Sequence, residues 1–239
     1  MTHRRNVLGL MVGGVSALAL AGCGPLRRAK LRYRLTVEVD TPEGVKTGST
    51  VIQVTIERRD AWIRTAESSG GRILFEGEAV EVVLPGGRSL FALLASNEAT
   101  DLADAYPQFA FYHRLANLRG FGALKQMSRW KGQTAAIVPE KAYSDTQIID
   151  YPKLVAFTDI KNPMTAVGVD PYALDATLGA GYRLKQISVT ITDDEVTKGI
   201  EKRLPWLIGE DGKFPKMLNH QTNSGYDLRY PEFAEGTGQ

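Results

Sequence analysis

Cysteine is almost missing from this chain: Cys23 is the only one in 239 residues. No disulfide can form within the chain, and no set of thiolates can hold a metal. Histidine is nearly as scarce. Of the three, His3 sits in the opening residues, and His113 and His220 stand far apart. Metal sites draw several ligands at tight spacing, so no metal is expected. There is no Gly-x-Ser-x-Gly elbow and no lysine-bearing phosphate loop. Gly120-Phe121-Gly122 and Gly179-Ala180-Gly181 are incomplete as dinucleotide fingerprints, so no cofactor is expected either. No apolar run reaches the roughly 20 residues a membrane-spanning helix needs. Internal repeats and low-complexity blocks are absent.

What is present begins at the start of the chain. Arg4 and Arg5 form a cationic opening, and Val7 to Leu20 is an uncharged apolar stretch of 14 residues. That length and order fit the apolar region of a secretory signal. Leu20-Ala21-Gly22-Cys23 then resembles the lipobox of bacterial lipoproteins. The resemblance implies cleavage before Cys23, recognition of Leu20, Ala21 and Gly22 by the signal peptidase, and lipid on the Cys23 sulfur. Stable anchoring takes more than one acyl chain, and a diacylglyceryl group satisfies that. Arg4-Arg5-Asn6-Val7-Leu8 also resembles a twin-arginine export signal, which would imply folding before export. The bland alternative is an ordinary basic signal start. Gly24 stands where an aspartate would signal inner-membrane retention in many enteric-type lipoproteins. The resemblance therefore implies an exported protein, lipid-anchored at the periplasmic face of the outer membrane.

The leader holds two of the 29 Lys+Arg and none of the 27 Asp+Glu, so Cys23 to Gln239 carries 27 of each. No basic excess remains to hold nucleic acid. A hydrophobic share of 43% supplies an ordinary core.

The pattern divides the chain into a signal peptide (1–22), a lipidated tether (23–30), one globular domain (31–208) and a loop-rich tail (209–239). A sub-boundary falls near 96–100. Leu31 to Val39 alternates apolar and polar residues, as does Ser49 to Ile56, and Thr41-Pro42-Glu43-Gly44 joins them as a hairpin turn. Ala79 to Leu84 and Ser89 to Ala95 read as a second hairpin through Pro85-Gly86-Gly87. Leu90 to Leu94 is apolar on both faces and should be buried within a sheet. Residues 102–116 have helical spacing that Pro107 should kink or divide. Gly120 and Gly122 should loosen the chain, and Gln133 to Val138 and Lys153 to Phe157 read as short strands. Asp170 and Pro171 should start a helix that Gly179 closes. Ile187 to Ile191 is a strand. Thr192 and Glu195 match a capping box for a helix carrying Val196, Ile200 and Leu204, with Lys202 and Arg203 in its last turn and Pro205 as its stop. Trp206, Phe214, Tyr226, Tyr230 and Phe233 are candidates to pin the tail. The expected class is α+β, with N-terminal antiparallel β-hairpins followed by mixed strands and short helices.

Two segments, Gly77 to Leu94 and Ile191 to Trp206, are similar to stretches of uncharacterised proteobacterial lipoproteins. That resemblance supports location and unity of fold and lends no chemistry.

Candidate sites are few. Ser68-Ser69-Gly70-Gly71 reads as a turn rather than a nucleophile loop. Asp159, Asp170 and Asp175 gather around one strand-to-helix passage, and Asp193, Asp194 and Glu195 lie together. A carboxylate pair facing one cleft can hydrolyse a glycosidic bond, but each group also has a capping or dipole role. Phe109, Phe111, Tyr112 and Phe121 suit a core stripe better than a groove for a partner or an acyl chain. The favoured expectation is a non-enzymatic binding or structural module of the envelope with a protein or polymer partner. The alternatives are a tethered envelope hydrolase and a small-molecule or lipid carrier, the latter requiring a sizeable apolar cavity.

Overall fold

The structure is a computed structural model that describes residues 26–59, 72–95, 105–116, 118–138, 140–141, 148–149, 151–208, 219–221, 227–229 and 233–235. The signal and lipobox residues Leu20, Ala21, Gly22 and Cys23 lie outside them, as do Ser68 to Gly71 and most of the tail.

The first hairpin is longer than the alternation in the sequence suggests. Strands β1 (Leu26–Thr41) and β2 (Gly44–Arg59) pair antiparallel along their whole length, from Leu26 opposite Arg59 to Thr41 opposite Gly44. Thr41 Oγ1 closes the turn by donating to the Gly44 carbonyl at 2.6 Å and accepting from Glu43 N–H. Residues 26–30, expected to be a tether, are therefore strand. The period of two runs on through them, because Ala29 is buried below Leu31. Arg27, Arg28 and Lys30 hide that signal in the sequence, since solvated cations occupy both sides of the strand end.

Next come β3 (Arg72–Glu78), β4 (Val80–Val83), β5 (Ser89–Ala92), α1 (Tyr106–Ala110), α2 (Gly120–Met127), β6 (Thr134–Ala136), β7 (Glu140–Lys141), β8 (Ile148–Ile149), β9 (Leu154–Phe157), β10 (Ala166–Val169), α3 (Leu174–Leu178) and β11 (Arg183–Ile191). The short strands β12 (Asn219–Gln221), β13 (Asp227–Arg229) and β14 (Ala234–Glu235) complete the order. A six-stranded sheet runs β14-β3-β2-β1-β11-β6, and a four-stranded sheet runs β10-β9-β5-β4. Their strand pairs are antiparallel. Two small ladders, β7-β8 and β12-β13, stand apart. The protein is predominantly β, with two antiparallel sheets and a few short helices.

The sheets enclose the main core. Tyr33, Leu35, Ile52 and Val54 of the larger sheet meet Val82, Leu90 and Ala156 of the smaller one. Residues before and after 96–100 share this core. The far side of the smaller sheet holds a second cluster of Phe91, Phe157, Leu204 and Phe233. Strand β5 therefore feeds both clusters, and Leu90 to Leu94 is buried on both faces as expected. Trp206 and Phe233 do pin late chain to the body. Their rings lie 5.5 Å apart, Trp206 Nε1 donates to the Ile160 carbonyl at 2.9 Å, and Ala79 N–H donates to the Phe233 carbonyl.

The sheets come into close contact at Gly48. A Cβ built there would lie 2.0 Å from the Glu81 carbonyl oxygen, so only glycine lets β4 approach β2 this far.

Several helix expectations change. Pro107 falls in the first turn of α1, where its missing N–H costs nothing, so it starts a helix rather than dividing one. Gly120 and Gly122 lie inside α2, whose buried Ala123, Leu124 and Met127 outweigh the glycine penalty. The helix expected from Asp170 begins four residues later. Asp170 instead folds a turn, its carboxylate accepting from Tyr172 N–H at 2.8 Å. Gly179 does close α3, at φ 99°.

The helix expected after Thr192 does not form. Arg32 donates to the Asp193 and Asp194 carbonyls, and Thr197 bonds Val51 through both its hydroxyl and its N–H. These contacts take the groups a helix would need, leaving only a 3-10 turn at Ile200–Lys202. Among the described residues, no helix is long and apolar enough to cross a membrane.

Candidate functional site: a tyrosine groove at the turn end of the long hairpin

Near the β1–β2 turn, a cavity of about 320 Å³ opens between α3 and the start of β11. Tyr151, Tyr172, Leu174, Asp175, Arg183 and Leu184 line it with Pro171. The volume is at the low end for ligand sites.

Three segments build it. Tyr151 leads into β9, and Tyr172 sits on the turn that Asp170 folds. Arg183 and Leu184 open β11, where they pair with Asp40 and Val39 of β1. Leu174 and Leu178 bury their side chains and seat α3 on the core. Arg88, from the β4–β5 turn, secures α3 from the other side. It donates to the Leu178 carbonyl at 3.0 Å and to Tyr182 Oη at 2.7 Å, and its guanidinium lies over the Tyr182 ring.

The two tyrosine rings lie 5.7 Å apart at 47°. Tyr172 is 69% exposed, a large aromatic surface given to solvent. Asp175 and Arg183 are exposed, and among the described residues neither side chain is engaged in a hydrogen bond or ion pair. The groove thus offers an aromatic platform with one acceptor and one forked donor beside it. It is equipped to hold a molecule with an apolar face and polar edges.

Most of the other acids singled out in the sequence are held by local or salt-bridge partners. Asp159 accepts from Lys161 N–H at 2.9 Å. Asp194 pairs with Arg34 at 2.7 Å and Asp193 pairs with Lys131. The Arg34 hydrogen bond holds the Asp194 carboxyl below its ordinary range. Glu195 is exposed. His113 is exposed beside the Tyr112 ring, and His220 lies in β12. Among the described residues, no three of His, Cys, Asp and Glu gather to hold a metal ion. Phe111 is buried, and Phe109, Tyr112 and Phe121 pack on the main core.

Two carboxylates that the sequence does not reveal tie the layers together. Glu78 is 7% exposed and accepts from Ile200 N–H at 2.9 Å. Burial raises its pKa, more than the Ile200 hydrogen bond lowers it. Burial would also raise Glu81, but hydrogen bonds from Arg203 and Ser89 outweigh it and hold the carboxyl below its ordinary range. Arg203 grips both Glu81 oxygens, its Nη2 at 2.6 Å from Oε1 and its Nε at 2.9 Å from Oε2. Expected at a helix C-terminus, Arg203 is instead a clamp between segments.

Fold and groove together describe a two-sheet β protein with a small aromatic groove at one end. Compared with protein-family models, curated proteins and solved structures, the chain matches none.

Proposed function

We propose that this chain is an exported lipoprotein, anchored by lipid on Cys23 at the periplasmic face of the outer membrane, and that its body is a non-enzymatic binding module. The groove is its ligand-contacting surface, and its ligand is a polymer of the cell envelope bearing hydroxylated rings. Short helices that follow antiparallel hairpins support an α+β class within the predominantly β body.

One observation carries the reading. The groove lies at the turn end of β1, beside Asp40, whereas Cys23 precedes the opposite end by three residues. From Leu26 to Asp40 the strand measures about 45 Å. An anchor at one end and an open aromatic site at the other suit a protein that reaches from a membrane toward something beyond it. The chemistry of the groove supports the ligand class. A ring lays its apolar face on Tyr172, and its hydroxyls meet Asp175 and Arg183.

Two measurements test the reading. Mass spectrometry of protein purified from its host is expected to find a mature chain beginning at lipid-modified Cys23. An intact initiator end or an unmodified sulfur would overturn the anchor. Retention on isolated envelope glycan should fall at least about tenfold in Tyr172→Ala and in the double variant Asp175→Asn, Arg183→Gln. Unchanged retention in both would remove the groove from the function.

A further inference from the structure

The stretch around α1 and α2 carries charge of one sign. Residues 105–138 hold five Lys and Arg and no Asp or Glu, in a chain whose charges otherwise nearly balance. Arg114, Arg119, Lys125, Arg129 and Lys131 are all exposed. Among the described residues, Lys131 pairs with Asp193, and the other four meet no carboxylate.

Aromatic rings fix two of these cations in place. The Arg114 guanidinium lies 4.5 Å from the centroid of the Trp130 ring and 5.6 Å from that of Phe111. Arg119 lies 4.8 Å over the Tyr112 ring, and its Nη1 donates to the Leu118 carbonyl at 2.9 Å. At φ 49°, Ala116 turns the chain between the two arginines. The Phe111 and Trp130 rings lie 5.5 Å apart, so the 3-10 turn Tyr112–Arg114 sits against the chain that follows α2. Arg129 and Lys131 flank Trp130 there.

A guanidinium stacked on a ring keeps its edge free, and that edge is a fork of N–H donors shaped for a carboxylate or phosphate. Stacking also removes part of the ordering cost of binding. The large apolar side chains of the stretch turn inward. Phe111, Leu115, Leu124 and Met127 are buried, and Leu118 is the one left exposed among described residues 105–131. Little is therefore on offer for insertion into a bilayer. Tyr112 and Trp130 are half-buried, which leaves aromatic surface beside each fork for a sugar ring.

We propose that this surface binds an acidic glycan, a polymer whose rings carry carboxylates that the Arg114 and Arg119 forks engage. It shares no residue with the tyrosine groove. It stands whether or not the groove takes a ligand or Cys23 takes lipid.

The test measures retention of the full chain on immobilised alginate, a polymer of carboxylated sugar rings, against immobilised dextran, which is neutral. Salt is set at about 50 mM and about 300 mM. Retention should favour alginate and fall as salt rises. Changing Arg114 and Arg119 together to Gln should lower it about 100-fold, at about tenfold per charge-assisted fork. Changing both to Lys keeps the charge but loses the fork, and should still lower it about tenfold. The double variant Lys125→Gln, Arg129→Gln removes exposed cations that meet no carboxylate among the described residues, so the fold is spared. It should lower retention about fivefold. Tyr172→Ala should leave the preference for alginate over dextran unchanged, which separates this surface from the groove. Equal retention on the two polymers, or no loss in either Gln variant, would overturn the surface, and full retention in the Lys variant would overturn the forks. Sedimentation with phosphatidylglycerol vesicles that falls in the same variants, without retention on alginate, would assign the surface to a membrane and overturn the glycan.

Discussion

Among the described residues, Arg27, Arg28, Lys30, Arg58 and Arg72 are exposed around Glu57 at the Leu26 end of the β1–β2 hairpin, whereas at the Thr41 end Glu43 pairs with Lys46, Glu38 with Lys185, and Asp40 lies opposite Arg183. At the first end Leu26 and Ile73 are each about half exposed, whereas at the second apolar side chains line a cavity with a tyrosine pair. Both ends belong to the same two strands and the same alternating pattern. The difference lies in what the rest of the chain brings. Among the described residues, the groove end gains α3, β11 and the Asp170 turn, while the Leu26 end gains α2 and the start of β3. A sheet thus supplies the distance between two surfaces, and the later segments decide which of them becomes a site.

The largest expected effect comes from breaking the connection between the ends. Gly48→Ala forces β2 away from the Glu81 backbone and should cost about 3 kcal/mol, read as a lowered denaturant midpoint. Both ends should weaken together in that variant, whereas changes at either end alone should leave the other intact. Tyr172→Ala sharpens the contrast next. Its side chain is mostly exposed, so stability should hold within about 0.5 kcal/mol while groove binding falls about tenfold.

Between the ends, the two layer-joining carboxylates should respond to pH in opposite directions. Glu81 is held low, so its contribution is present above pH 4.5 and is lost as pH falls through its folded value. Glu78 is pushed up, so its contribution is present below pH 4.5 and is lost as pH rises through its folded value. At neutral pH, Glu81→Gln should therefore destabilise by about 1 kcal/mol, because it weakens a half-exposed pairing with Arg203. Glu78→Gln should be neutral or stabilising at neutral pH and destabilising only in acid. Thermal melts at several pH values read both. The smallest effect should be a gain. Thr50 Oγ1 is buried without a hydrogen-bond partner, so Thr50→Val should stabilise by a few tenths to about 1 kcal/mol and leave both ends unchanged.

Much of the fold is legible in the sequence where a signal is local. Alternation and the Pro42 to Gly44 turn reveal the first hairpin, and Pro85-Gly86-Gly87 reveals the second. Gly179 is readable as a helix stop because only a left-handed residue fits there. The Thr192 to Leu204 stretch misleads, because its capping signals are real but tertiary partners outbid them. Arg32 and Val51 lie far away in sequence, and no periodicity in residues 192–204 announces them. The groove is similarly hidden. The sequence singles out Asp175, and Pro171 as a helix start, but Tyr151, Tyr172 and Arg183 come from segments that meet only after folding. Glu78 and Glu81 look like ordinary strand carboxylates until the chain near Ile200 and Arg203 closes over them.

The position of β1 in the larger sheet has a consequence for how the protein is made. One neighbour, β2, follows at once, but the other, β11, joins Tyr33 to Ile191 across most of the chain. A nascent hairpin would therefore show an unpaired edge and a bare row of Tyr33, Leu35 and Val37 until residue 191 arrives. Long-range pairing of this sort is slow and invites association between neighbouring chains. The interval between synthesis of the first hairpin and arrival of β11 is thus when a holding chaperone has most to protect.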